Sequence, residues 1–182
     1  MKKTIVVFGL ISGVIISTFM GISMYLMSCS SGTGDMTRSM IIGFSAMAVA
    51  FSFIFVGIKN FRDKRNSGSI TFGKAFLIGS LISLIASTLY VLTWGVEFHF
   101  FMPDFIDKYS AIQIEQLQAG DLKGTELEEA IKEVEDKNYL YKNNLLFFAF
   151  TTYTEILPVG ILITLISALI LRRETAEPGL SE

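Results

Sequence analysis

Glu155 is the residue best placed to do chemistry in this chain, because it interrupts an apolar run extending from Leu145 to Leu171. An ionised carboxylate is costly in such surroundings, and residues of this kind mark ion paths, proton relays or polar joints between helices. Three residues on, Pro158 has no N–H to give to the carbonyl of Thr154, which predicts a freed carbonyl and a kink. The hydroxyls of Thr151, Thr152 and Thr154 fall within about two helical turns of the carboxyl group. Such a set suits a proton or small cation, or a hydrogen-bonded contact between two helices. Counting depth along the other apolar runs brings Ser17, Thr18, Ser83, Ser87 and Thr88 to a similar level, so a polar layer inside a bundle is expected.

The remaining reactive side chains assemble into nothing stronger. Glu97 and His99 form an acid/base pair without a nucleophile or a metal companion. One cysteine and one histidine leave no thiol–imidazole metal cluster and no internal disulfide. No catalytic set, no metal and no cofactor is therefore expected. Leu26-Met27-Ser28-Cys29 approximates a lipoprotein cleavage box, but the apolar run before it is too long for a signal-peptide core, and a retained helix is expected. The acidic cluster Glu126, Glu128, Glu129, Glu133, Glu135 and Asp136 reads as a solvated face. Lys59–Arg65 lies close between apolar runs and reads as a membrane-surface basic patch, not a nucleic-acid site.

The elements that must position these residues are four apolar runs, at 4–27, 39–58, 72–96 and 145–171. Each is long enough to cross a bilayer at about 1.5 Å per residue. Glu155 makes the fourth the hardest to insert. One central charge costs roughly 3 kcal/mol, whereas each Leu, Ile, Phe or Val returns about 0.3–0.6. Sixteen such residues in Leu145–Leu171 outweigh it. Charges flanking the runs are sorted by sign. Lys2 and Lys3, then Lys59, Arg62, Lys64 and Arg65, then Arg172 and Arg173 alternate with a long 97–144 segment carrying eleven acidic residues against five lysines. By the positive-inside rule both termini are expected in the cytoplasm.

Lipid supplies no hydrophobic drive for helices to associate, so small residues at four-residue spacing become the packing signal. Gly9, Gly13, Ser17 and Gly21 form one stripe, Ala75, Gly79, Ser83 and Ser87 a second, and Gly160, Thr164 and Ala168 a third. In the outer segment, Phe105, Tyr109 and Ile112 share a face, and a break is expected at Gly120–Gly124. Thr125 and Glu128 then form a capping-box pattern ahead of the stripe Leu127, Ile131, Val134 and Tyr141. The expected fold is all-α: a polytopic four-helix transmembrane bundle, residues 1–175, with an extramembrane amphipathic helical hairpin at 97–144 and a flexible tail at 176–182.

At Gly57-Ile58-Lys59-Asn60-Phe61-Arg62-Asp63-Lys64, and again at Ile70-Thr71-Phe72-Gly73-Lys74-Ala75-Phe76 with Gly79, the chain resembles a bacterial membrane family catalogued as domain of unknown function 4199. The match continues at Pro103-Asp104-Phe105 and through Pro158-Val159-Gly160 to Arg172-Arg173. The resemblance implies a four-helix integral membrane protein and supplies no activity. The expected role is that of a non-enzymatic scaffold, assembly or envelope-interaction protein of the bacterial inner membrane. Its expected partners are the lipid bilayer and a protein bound through residues 103–144. The alternative is a small proton- or ion-coupled transporter centred on Glu155, a homo-oligomer because four helices enclose little volume.

Overall fold

In the computed structural model six α-helices follow one another: α1 (Lys2–Cys29), α2 (Met36–Arg65), α3 (Phe72–Val96), α4 (Phe105–Ala119), α5 (Thr125–Asn143) and α6 (Leu145–Leu171). A single turn of π-helix, Glu97–Phe101, follows α3. The structure describes residues 1–29 and 36–173, with side chains for 1–23, 43 and 45–173 among them. The side chain of Cys29, the 30–35 connection and the expected 176–182 tail lie outside the described residues. Four helical stretches are long and apolar enough to cross a membrane: Lys2–Ser23, Ser45–Arg65, Phe72–Phe101 and Leu145–Leu171.

The second helix runs beyond the apolar 39–58 run, through the basic motif to Arg65. Lys59–Arg65 holds no Gly or Pro to end it. Termination waits for Ser67 and Gly68, which both adopt positive φ, 52° and 78°.

The chain divides into two compact units, one of Met1–Thr93 with the chain from Glu155 onward, the other of Trp94–Thr154. The first unit is apolar outside as well as inside: its buried residues include Phe51, Ile54 and Ile82. Ser12, Ser83, Ser87 and Thr164 are fully buried, while Val14, Val49 and Leu162 are more than half exposed. Apolar surface facing outward and small hydroxyl residues facing inward is what a hydrocarbon solvent selects. Other hydroxyls are satisfied on their own helices: Ser52 donates to the Val49 carbonyl and Thr88 to that of Leu84.

Two of the three small-residue stripes meet each other. A methyl group at Gly79 would lie 2.5 Å from Thr164 Cγ2, and one at Gly160 would collide with Ser83 Oγ. α3 and α6 therefore approach backbone to backbone. The stripe on α1 finds large partners instead, Gly9 taking Ile85 and Gly13 taking Leu89 of α3. Ser17 shares a 2.8 Å hydrogen bond with Thr93, whereas Gly21 is exposed.

The second unit is built on a hairpin of α4 and α5. Its core is Phe98, Ile106 and Phe148, flanked by Trp94, Phe105, Tyr109 and Tyr141. The α4 face turns through Ile106, which is buried, and Ile112 is exposed rather than packed. Leu127, Ile131, Val134 and Tyr141 are half-buried on α5, as their spacing predicts. The Thr125–Glu128 capping box does not form. Gly124, at φ 62° and ψ −136°, occupies the N-cap, and Thr125 is already helical, so its hydroxyl cannot cap.

Candidate functional site

The four residues expected to surround an intramembrane polar site differ in exposure. Glu155 and Pro158 are exposed, facing out of the protein, Thr151 is half-buried, and Thr152 is buried. The expected inward polar layer therefore loses its carboxylate. Thr18 is exposed as well and Ser17 and Thr88 are half-buried, leaving Ser83 and Ser87 as the fully buried members. Helix geometry gives the reason. Glu155 is nine residues from Thr164, about 180° around the helix at 100° per residue, and Thr164 faces α3. With Gly160 and Thr164 committed to the close approach, Glu155 must point the other way.

Inside the first unit the polar groups are hydroxyls. Ser80, Ser83 and Ser87 on α3, Ser12 on α1 and Thr164 on α6 are buried with no hydrogen-bond partner for their oxygens. Ser83 and Thr164 sit one turn apart along the α3–α6 contact, each against a glycine. This seam is one that sequence reading found only in part: Ser12 and Ser80 do not stand on the four-residue stripes. Hydroxyls alone lack the basicity to relay protons without water or a carboxyl group. The seam's clearest role is close packing.

The second unit holds a polar network. Trp94 Nε1 donates to Tyr141 Oη at 2.7 Å, and Thr152 Oγ1 donates to the Phe148 carbonyl at 2.8 Å. With the Thr152 proton committed, Tyr141 is the donor in its 3.3 Å contact to Thr152 Oγ1. The resulting chain of donors ties the end of α3 to α5 and α6. Aromatic contacts surround it: Trp94 meets Phe105 edge-on at 5.3 Å, and Tyr141 meets Phe148 at 4.9 Å. Thr152 is therefore a structural anchor of this unit. Among the described residues no ion pair joins Glu97 to His99, and His99 Nδ1 lies 3.0 Å from the carbonyl of Gly95.

On the outside of that unit, α5 and the start of α6 form a cleft of about 520 Å³. Leu140 and Phe147 supply its apolar part, and Glu129, Glu133, Asp136, Lys132 and Lys137 its charged walls. A second cleft of about 400 Å³ lies between α4 and α5, along Ile106, Ser110, Asn138 and Tyr139. The hairpin is pinned beside it by the 2.7 Å Lys142–Asp107 ion pair and by Asn138 donating to Gln113. Sequence reading took the acidic residues of α5 as a solvated face. Their alternation with Lys132 and Lys137 around Leu140 and Phe147 was the available signal for a cleft. Among the described residues no group of three His, Cys, Asp or Glu side chains is arranged to hold a metal ion.

No curated protein and no solved structure matches the chain. A family model does, over residues 7–173, nearly the whole length and including both quoted motifs. This multi-pass membrane protein belongs to the family described as protein of unknown function (DUF4199).

Proposed function

We propose that this protein works by interaction and not by catalysis, as a scaffold, assembly or envelope-interaction component. Its place is a bacterial inner membrane, with both termini on the cytoplasmic side. The observation that carries the reading is the Trp94–Thr154 unit. What is a connection between two membrane helices is folded about Phe98, Ile106 and Phe148 and braced by the Trp94–Tyr141–Thr152 network. Ordering some sixty residues costs about 1–2 kcal/mol each in backbone entropy, and a mere linker needs none of it. The partner is a protein segment offering apolar side chains to Leu140 and Phe147 and charges of both signs to the rim. The transporter alternative centred on Glu155 has less support, because that carboxyl group faces outward.

Photo-reactive side chains introduced at Lys132 and Asp136 test the proposal in native membranes, with Val14 and Leu162 as lipid-facing references. A discrete adduct from the cleft positions alone, abolished by Leu140→Asp, is the expected result. Adducts that survive Leu140→Asp, or that arise equally from the reference positions, would overturn it. So would proton-driven flux in proteoliposomes that Glu155→Gln abolishes.

A further inference from the structure

The end of the first unit where α2 and α6 finish and α3 begins is a built clasp. Ile70 and Arg173 exchange both backbone hydrogen bonds, each at 2.9 Å, so the chain leaving α6 is zipped to the turn before α3. Arg62 reaches the carbonyl of Leu171 at 3.5 Å, supplying a cation to the C-terminal end of α6, and pairs with Asp63 at 2.7 Å. Lys74 donates to Asn66 Oδ1 at 2.9 Å and lies over the Phe61 ring. Asn66 in turn donates to the Ser69 carbonyl, closing the turn. Phe61, Ile70 and Leu171 are buried beneath.

The cations here divide into two kinds. Arg62 and Lys74 are spent on the clasp itself. Lys64, Arg65, Arg172 and Arg173 are exposed, and among the described residues none of them forms an ion pair. A positive-inside bias needs only charge near helix ends and no fixed geometry. Here a pair of backbone bonds ties Arg173, next to Arg172, to Ile70 in the turn between α2 and α3, at the end of three apolar spans. Exposed guanidinium groups on anchored backbone match a phosphate at the membrane surface, which Arg binds through paired N–H donors, while the Asp63 carboxylate beside them is paired to Arg62 and also feels Arg173.

We propose that this clasp is a binding site for the headgroup of an anionic phospholipid in the adjacent leaflet, with Arg172 and Arg173 as its principal ligands and Lys64 and Arg65 beside them. The first family motif quoted above ends in it and the second begins there.

Native mass spectrometry of the full chain, with phosphatidylglycerol or phosphatidylcholine added to detergent, tests the proposal. Each cation near a membrane surface contributes about 1 kcal/mol, about fivefold in binding. The double variant Arg172→Gln/Arg173→Gln should therefore retain phosphatidylglycerol about 30-fold less well than the parent, with phosphatidylcholine retention unchanged. The bridge uses only backbone atoms of Arg173, so the clasp itself survives the change, and an unaltered thermal midpoint verifies that. Lys132→Gln/Lys137→Gln removes the same charge from α5 and should leave retention intact. Equal loss in both double variants would reduce the effect to net charge and overturn the site. Retention unaffected by the arginine changes would overturn it too. Displacement of the lipid by millimolar inorganic phosphate would point to a soluble anion as ligand and against a lipid headgroup.

Discussion

At the scale of single residues the glycines make the sharpest predictions, because their surroundings differ so much. A methyl group at Gly160 collides with Ser83 and one at Gly13 with Leu89, whereas Gly73 has open space around it. Gly160→Ala and Gly13→Ala should each destabilise the bundle by about 1–3 kcal/mol, the usual cost of overpacking, and Gly73→Ala should change it little. Thermal unfolding in detergent measures all three, and a uniform response would mean that the close approach of α3 and α6 is not what holds the first unit. Tyr141 allows a second test. Its hydroxyl accepts from Trp94 and donates to Thr152, so Tyr141→Phe leaves the indole N–H without its acceptor, at a cost of about 1–3 kcal/mol if it stays buried. Trp94 is the only tryptophan, and its emission reports on this site alone. A red shift in Tyr141→Phe, absent in Tyr139→Phe at an exposed position, is the expected outcome.

Among the helices, α6 shows both what was legible in the sequence and what was not. Its length, its depth in the membrane and its stop at Arg172 follow from composition, because insertion is a sum over residues. The stripe Gly160, Thr164 and Ala168 was legible because close packing needs small residues at a fixed period, and Gly160, Thr164 and Ala168 are all buried. Depth says nothing about azimuth, however. The inward Glu155 and the Gly160–Thr164 contact face are incompatible on one helix, being about 140–180° apart. The large partners of α1, Ile85 and Leu89, could not be read either, since period marks the hole and not the knob that fills it. The helix break between Gly120 and Gly124 was legible, but the caps depend on backbone geometry. Asn144, which breaks the helix between α5 and α6, accepts from the N–H groups of Leu146 and Phe147 at 3.0 and 3.1 Å. Asn144→Ala should cost about 1 kcal/mol as a lost N-cap, and Gly124→Ala more, because an alanine resists φ of 62° with ψ of −136°. Limited proteolysis of the hairpin in intact vesicles ranks the two. Faster cleavage of Asn144→Ala than of Gly124→Ala would reverse the assignment of Gly124 as the more constrained position.

Over the whole molecule the deciding property is which solvent each surface meets. The first unit exposes Val14, Val49, Leu162 and Ile170 while burying serines and threonines, an arrangement that water would not stabilise. The twenty-seven residues of α6 extend about 40 Å, more than the roughly 30 Å of hydrocarbon in a bilayer. Its two ends must then emerge on opposite faces, Asn144 on one and Arg172 on the other. With four spans of alternating direction, the basic end of α2 shares a face with Arg172, and α5 shares one with Asn144. In a Cys29→Ser background, single cysteines at Lys64 and at Glu129 report on this directly, both positions being exposed. A membrane-impermeant maleimide added to sealed right-side-out vesicles should label the Glu129 position at once and the Lys64 position only after lysis. If both label before lysis, one of the four apolar helices does not cross. If only Lys64 labels, the threading is inverted, and the clasp faces the outer leaflet instead of the inner one. The sign of the flanking charge favours the first result, because seven Lys and Arg residues at the ends of α2, α3 and α6 would otherwise have to be translocated.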